Sequence, residues 1–168
     1  MKNSKQYIGT KVISGTPMTR IQYNDYRGWV IPEDENPLDE GYLVEYEPNE
    51  DSPPNHIDHA GYISWSPKSV FEEAYKPTSE GMSFGYALEM VKTQGARVAR
   101  KGWNGKGMFI FLVPGSKFVV NREPLMSLLG ENAVVNYHGH IDMKTADGMI
   151  VPWLASQTDV LAEDWQIV

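Results

Sequence analysis

The chain has 168 residues, enough for one large domain or two small ones, and its 41% hydrophobic and 22% charged residues are typical of a folded protein. Its 22 acidic and 15 basic residues give a net charge of −7, which disfavours binding to a nucleic-acid backbone. The lack of cysteine excludes disulfides, thiolate metal sites and a cysteine nucleophile. Since no apolar run approaches the roughly 18 residues of a membrane span, and no secretory signal is recognisable, we expect a soluble protein that binds neither DNA nor membranes.

The sequence divides at a short polar linker, where Pro77 and Gly81 interrupt the flanking patterns. Residues 1–79 carry 13 acidic and 7 basic residues, whereas residues 80–168 carry 9 and 8. We therefore predict an acidic N-terminal module over residues 1–79, of unknown role, and a second domain over residues 80–168.

The N-terminal module is predicted from cap signals and from β-branched and aromatic runs. In chain order we predict an edge strand within residues 5–14, a helix opened by Thr16 and Pro17 and ended by Gly28, strands over residues 41–46 and 61–65, and a helix opened by Ser66 and Pro67 that runs to Tyr75.

The second domain begins with a clear amphipathic helix, because apolar residues recur at helical spacing after Ser83 and Gly95 follows at the position of a C-terminal glycine. We next predict a strand over residues 96–101 that turns at Gly102, a strand over 108–113 that is buried on both faces, and a strand over 118–120. A helix over 123–129, ended by Gly130, is followed by a hairpin of strands 140–144 and 149–153 around a two-residue Asp147-Gly148 turn. The last predicted elements are one helical turn from Ser156 to Ala162 and a strand over 165–168. Helices and antiparallel hairpins without βαβ periodicity predict the α+β class: an antiparallel β-sheet with short helices, plus a small α+β N-terminal module.

Candidate catalytic residues are few. His138, His140 and Asp142 alternate along a predicted strand and would project to one side, as metal ligands do, but the neighbouring Gly139 favours surface histidines in a loop. There is no G-x-S-x-G nucleophile motif. We therefore predict no catalytic residue, no metal site and no cofactor.

A cluster of cations in this acidic protein surrounds Trp103 and the glycine-rich turn of residues 104–107. Its members are Arg97, Arg100, Lys101 and Lys106. An indole that stacks on a base, beside amides and cations that meet phosphates, is the minimum for holding a nucleotide. The turn lacks the spacing of either common phosphate loop, so a plain turn between two strands is the alternative interpretation.

Four segments carry a family resemblance: MSFGYAL from Met82, VARKGWNGKGMF from Val98, HIDMKTADG from His140 and VPWLASQTDVLAEDW from Val151. Over residues 80–168 they resemble the second family of phage Thoeris anti-defence proteins. The resemblance implies a protein that is not an enzyme, and that binds and sequesters a cyclic ADP-ribose isomer made as an immune signal, such as glycocyclic ADP-ribose, without cleaving it. Some members also capture cyclic di- or trinucleotides. It further implies a homo-oligomer, a tetramer or dimer with pockets between protomers, in the cytoplasm of the infected bacterial host.

The family motifs also imply which residues contact the ligand. Trp103 would stack on a base, and Asn104, Gly105 and Lys106 would lie at the rim of the pocket. The second segment would supply amides and hydroxyls to phosphates and ribose; its residues are Ala155, Ser156, Gln157, Thr158 and Asp159, the last of which has capping of the helical turn as its alternative role. The alternatives to sequestration are a metal-dependent nucleotide hydrolase and a phage structural or scaffolding protein. Residues 1–79, which short members lack, resemble a small module of other uncharacterised phage proteins.

Overall fold

The chain forms two compact units, Met1–Lys76 (unit 1) and Pro77–Val168 (unit 2), in a computed structural model that describes residues 5–168. Each unit combines short helices with antiparallel strands, so the predicted α+β class is confirmed. Within the described residues no helix has the length and apolar character needed to span a membrane.

Unit 1 is built on a three-stranded antiparallel sheet with two helices. Its elements are β1 (Ile13–Pro17), α1 (Arg20–Arg27), β2 (Gly41–Tyr46), β3 (Ile63–Pro67) and α2 (Lys68–Ala74), and the strand order is β1-β2-β3. Tyr23 of α1 packs with Leu43 and Ile63 to form a small core, against which Met18 and Trp65 are partly buried. Tyr23 of α1 therefore covers one face of the sheet, while α2 lies against the other face, where Phe71 stacks on Tyr42 and Val44 is buried.

The start of unit 1 differs from the sequence prediction. The strand predicted within residues 5–14 is wrong for most of that range, because β1 begins only at Ile13. Pro17 does not begin a helix but lies in β1, at the edge of the sheet. A proline is tolerated there because the sheet needs no hydrogen bond from its missing N–H. The residue that caps α1 is Thr19 and not Thr16, and it forms a capping box with Gln22 that the sequence analysis did not predict.

Two glycines have clear roles in unit 1. Gly28 ends α1 as predicted, at a φ of +68° that glycine adopts without strain. Gly61 lies before β3, and a Cβ atom there would lie 1.8 Å from the carbonyl oxygen of Tyr46. The prediction that Ser66 caps α2 is wrong, since Ser66 belongs to β3 and α2 follows Pro67 without a side-chain cap.

Unit 2 is built on a five-stranded sheet with a separate hairpin. Its elements are α3 (Phe84–Thr93), β4 (Val98–Arg100), α4 (Lys101–Asn104), β5 (Phe109–Val113), β6 (Ser116–Val119), α5 (Leu125–Leu129), β7 (Val134–Tyr137), β8 (His140–Lys144), β9 (Ile150–Pro152), α6 (Gln157–Val160) and β10 (Trp165–Ile167). The sheet order is β10-β4-β5-β8-β9, and β6 pairs with β7.

The core of unit 2 lies between α3 and one face of this sheet. Ala87 and Val91 of α3 pack with Val98, Ile110 and Trp165, and all five are inaccessible to solvent. The predicted cap of α3 is confirmed, since the Ser83 side chain accepts the N–H of Tyr86, and Gly95 follows with a φ of +62°.

Three predictions for unit 2 need correction. Gly102 is not a turn between strands, because the chain forms the short helix α4 directly after β4. Strand β5 is fully buried only at Ile110, since α3 covers one face of the sheet and Phe109 and Phe111 on the other face stay partly exposed. The β8–β9 hairpin has a three-residue loop, in which Thr145 pairs with Met149 and residues 146–148 form the turn.

Candidate ligand-binding site

Trp103 lies in α4, where the indole is half-buried against the core of unit 2. Its ring meets those of Trp165 and Trp153 edge to face, with centroids 5.4 Å and 6.4 Å apart. Packing of this kind holds the indole in one orientation, and its exposed part remains available to a ligand.

The turn after Trp103 is held by backbone hydrogen bonds. The carbonyl oxygen of Trp103 accepts the N–H groups of Lys106 at 2.9 Å and Met108 at 3.3 Å. Asn104 ends α4, and Gly105 is its C-terminal cap. Gly105 and Lys106 are exposed, so this part of the predicted rim is accessible to solvent.

The second predicted segment begins at the start of α6. Ala155, Ser156, Gln157 and Thr158 are exposed, whereas Asp159 is buried. Ser156 caps the helix, because its hydroxyl accepts the N–H of Asp159 at 3.2 Å while the Asp159 carboxylate accepts the N–H of Ser156 at 3.1 Å. This capping box confirms the structural interpretation of Asp159; contact of this residue with a ligand stays a prediction.

Arg100 corrects the sequence interpretation of the cation cluster. Its guanidinium is bound by the carboxylates of Asp164 and Asp159, the latter at 3.1 Å, and its side chain is 23% exposed. The hydrogen bond to Asp164 is the main cause that raises the pKa of Arg100. Arg100 is therefore a member of an ion-pair network within unit 2, and its charge is already paired with two carboxylates.

The other three cations of the cluster are exposed to solvent. Lys101 and Lys106 flank Trp103 in sequence, and the guanidinium of Arg97 lies 5.3 Å from the ring centroid of Phe109. Two exposed lysines within three residues of a partly exposed indole are residue types that suit an anionic ligand with an aromatic ring.

The structure links the two predicted segments indirectly, through Trp165 and Asp164. The indole N–H of Trp165, whose ring contacts Trp103, donates to the carbonyl oxygen of Asp159 at 3.0 Å. The backbone N–H of Lys101 at the start of α4 donates to the carbonyl oxygen of Asp164 at 3.0 Å. Trp165 is fully buried, and only the fold shows that it links α4 to α6.

The histidine pair of unit 2 has ordinary surface contacts. His140 Nδ1 lies 3.0 Å from the carbonyl oxygen of His138, and His140 Nε2 lies 3.6 Å from the carboxylate of Asp142. Among residues 5–168 no three His, Cys, Asp or Glu side chains are placed to hold a metal ion.

Unit 1 contains a polar chain that sequence reasoning missed. The carboxylate of Glu45 accepts the Nδ1–H of His59 at 2.8 Å and the backbone N–H groups of Ala60 and Gly61. The Nε2 atom of His59 in turn hydrogen-bonds to the hydroxyl of Tyr26 at 2.9 Å. The hydrogen bond from His59, followed by that from Gly61, lowers the pKa of Glu45. This chain ties the proline-rich loop before β3 to both β2 and α1.

Two open clefts also lie in unit 1. The larger, of about 440 Å³, is lined by Asp39, Glu40, Pro67, Lys68, Ser69 and Glu72. The smaller, of about 230 Å³, is lined by Arg20, Glu35, Asp39 and Trp65. In both, cations are already paired with carboxylates, as Lys68 is with Glu40 and Arg20 with Glu35. Neither cleft includes a residue of the predicted site.

Unit 2 is thus a small α+β domain in which Trp165 links a helical turn that carries Trp103 to a second turn capped by Ser156. Residues 82–168, slightly over half of the chain, match the family model of the Tad2-like domain, described as the Thoeris anti-defense 2-like domain, and the chain belongs to this family. Over 90 residues it is 47% identical to "Thoeris anti-defense 2" of Bacillus phage SP01, an alignment that covers 52% of this chain and 94% of that protein. The family prediction for the second domain is confirmed.

Proposed function

We propose that this Thoeris anti-defense family protein acts in the cytoplasm of the infected bacterium by sequestering a cyclic nucleotide immune signal. The proposed ligand is a cyclic ADP-ribose isomer such as glycocyclic ADP-ribose, with cyclic di- and trinucleotides as a second class. The protein holds the signal without cleaving it, and so prevents a Thoeris-type effector from sensing it.

The observation that carries this proposal is the setting of Trp103. Its half-buried indole is fixed by two other tryptophans and has exposed lysines, Lys101 and Lys106, on either side in sequence. Stacking of a base on an aromatic ring contributes about 1–3 kcal/mol, and lysine ammonium groups attract phosphate. A cyclic ADP-ribose isomer offers both an adenine ring and a pyrophosphate to such a surface.

The exposed residues Ala155–Thr158 supply the second set of contacts in this proposal. The hydroxyls of Ser156 and Thr158 lie 2.8 Å apart, and because the Ser156 hydroxyl is engaged in the cap of α6, we assign the ligand contact to the Thr158 hydroxyl and to the backbone of this segment. Arg100 and Trp165 link this segment to β4 and β10, which supports our proposal that one ligand contacts both segments.

We further propose that the pocket is completed by a second copy of the chain, in a dimer or tetramer. Competition with an immune receptor requires sub-micromolar affinity, or more than about 8 kcal/mol, which two short exposed turns do not supply alone. Unit 2 also exposes large apolar side chains on and near β9 and α6, among them Ile150, Leu154 and Leu161, which are 51%, 92% and 78% exposed. Apolar exposure of this extent favours burial between protomers.

Calorimetric titration of the full chain with cyclic ADP-ribose isomers and cyclic di- and trinucleotides tests the proposal. We expect glycocyclic ADP-ribose or another member of the panel to bind with sub-micromolar Kd, and the ligand released by denaturation to be intact by mass spectrometry. No heat from any member would overturn the proposal, and cleaved product would favour the hydrolase instead.

The role of Trp103 is tested by Trp103→Ala, with Trp29→Ala as the matched control in unit 1. We expect Kd to rise at least about tenfold for Trp103→Ala, because the stacking surface is lost, and to stay unchanged for the control. Lys106→Gln, at an exposed position, provides a second variant that leaves the core intact. Unchanged affinity in both site variants, with folding retained, would instead assign the aromatic residues to packing, as in a scaffolding protein.

A further inference from the structure

Arg100 is the point at which three segments of unit 2 meet. From β4 its guanidinium donates to the side chain of Asp164, next to β10, and to the carboxylate of Asp159 in α6 at 3.1 Å. It also donates to the carbonyl oxygen of Thr158 at 3.3 Å. These partners are 58 to 64 positions away in sequence, so the contacts are tertiary and not local.

The shape of the arginine side chain is required for this arrangement. The planar guanidinium directs Nε and Nη2 to one carboxylate while Nη1 is left for α6, whereas a lysine ammonium has no comparable fork. The side chains of Arg100 and Asp159 are only 23% and 12% exposed, so this ion pair is less accessible to solvent than a pair on an open surface.

The residues next to Arg100 in sequence are those that form α4. Lys101 follows directly, and its backbone N–H donates to the carbonyl oxygen of Asp164. Trp103 lies two residues further, in the same helical turn. The Arg100 side chain therefore connects the residue that precedes α4 to Thr158 and Asp159 of α6.

We propose that Arg100 is a positioning residue, which holds α6 against the start of α4 so that the two segments form one ligand-binding surface, and which does not itself contact the ligand. The effect on ligand affinity rests on the proposed function above. The effect on the spacing of the two segments does not.

Hydrogen exchange measured by mass spectrometry on the full chain tests the spacing directly. In Arg100→Gln we expect exchange in residues 155–161 to be faster by about tenfold or more, because hydrogen bonds to a charged group are lost, while α3 and β5 keep their protection. Arg122→Gln removes the same charge from an exposed position and should leave all segments unchanged. Arg100→Lys keeps the positive charge but not the planar guanidinium, and we expect it to show most of the increase in exchange. Because it retains the charge, it replaces Arg100→Gln in the experiment if the latter does not fold.

Affinity for glycocyclic ADP-ribose, measured by calorimetry, tests the consequence for binding. We expect Kd to rise about tenfold in Arg100→Gln and in Asp164→Asn, and the double variant to be little worse than either, because both break the same link. Additive losses would overturn the positioning role in binding, and unchanged exchange of residues 155–161 in a folded Arg100 variant would overturn the proposal as a whole. If the wild type binds no member of the panel, the proposed function fails, while the exchange result still decides whether Arg100 positions α6.

Discussion

The two units of the chain reach stability by different means. Unit 2 has an apolar core of eight buried residues centred on Trp165, whereas the corresponding cluster of unit 1 has three. Unit 1 adds polar contacts to its smaller core, including the Glu45–His59–Tyr26 chain and the Arg20–Glu35 pair, while unit 2 adds the ion pairs of Arg100. The unit matched by the family model therefore has the larger apolar core, whereas hydrogen bonds lower the pKa of three carboxylates in unit 1, which makes that unit sensitive to acid.

The largest effect is expected from Trp165→Ala, which removes the central side chain of unit 2. Loss of a fully buried tryptophan costs about 3–5 kcal/mol, because the cavity is not refilled by neighbours. Urea unfolding followed by circular dichroism, with hydrogen exchange read separately in each unit, should show unit 2 weakened and unit 1 unchanged. Trp29→Ala, at a half-exposed position of unit 1, should cost much less; equal losses would contradict the contrast between the units.

A smaller and pH-dependent effect is expected from Glu45→Gln in unit 1. Hydrogen bonds to the carboxylates of Glu45, Glu35 and Glu40 lower their pKa values from the ordinary 4.5. A carboxyl whose pKa is lowered by folding stabilises the fold above its ordinary pKa, and this stabilisation is lost as pH falls through the folded value. Unit 1 should therefore lose protection before unit 2 on acidification below about pH 4.5, as hydrogen exchange will show.

Glu45→Gln should weaken unit 1 at neutral pH and flatten its acid response, since one of the three carboxylates no longer titrates. Glu47→Gln, at an exposed neighbouring position, is the matched control and should keep the wild-type profile. An unchanged acid response in Glu45→Gln would show that the Glu45–His59–Tyr26 chain does not cause the acid sensitivity of unit 1.

The smallest effect is expected from the helix caps, where the two units should behave alike. Thr19→Ala in unit 1 and Ser83→Ala in unit 2 each remove a side chain that accepts a backbone N–H, at a cost of about 1 kcal/mol. Urea unfolding measures both, and Ser69→Ala in α2, which caps no helix, serves as control. A cost several times larger in one unit would show that capping, and not only the core, separates them.

Local signals in the sequence were sufficient for many helix ends and for the fold class. Ser83, Gly28 and Gly130 were assigned correctly, because a cap or a helix-ending glycine acts on residues within one turn. The prediction that Thr16 and Pro17 begin a helix was wrong, because the same residue pair also suits the edge of a sheet. Pairing with residues 42 and 43 selects the strand and not the helix. The burial of β5 was misjudged for a similar reason, since it depends on which face α3 covers.

The candidate site could be predicted only in part. The GWNGKG and ASQTD segments were found from a cation cluster and from family motifs, and the half-exposed position of Trp103 follows from the fold. The pairing of Arg100 with Asp159 and Asp164 could not be predicted, because these partners lie 59 and 64 residues away and spacing carries no information on such contacts.

The three indoles of unit 2 give the protein a built-in optical reporter. Trp103, Trp153 and Trp165 have ring centroids between 5.4 Å and 6.4 Å apart, close enough for excitation to pass among them before emission. Quenching of Trp103 by a stacked base would therefore lower the fluorescence emission of all three tryptophans. Replacement of Trp29 and Trp65 by phenylalanine would leave fluorescence from this trio alone, and so provide a dye-free titration signal from a single unit.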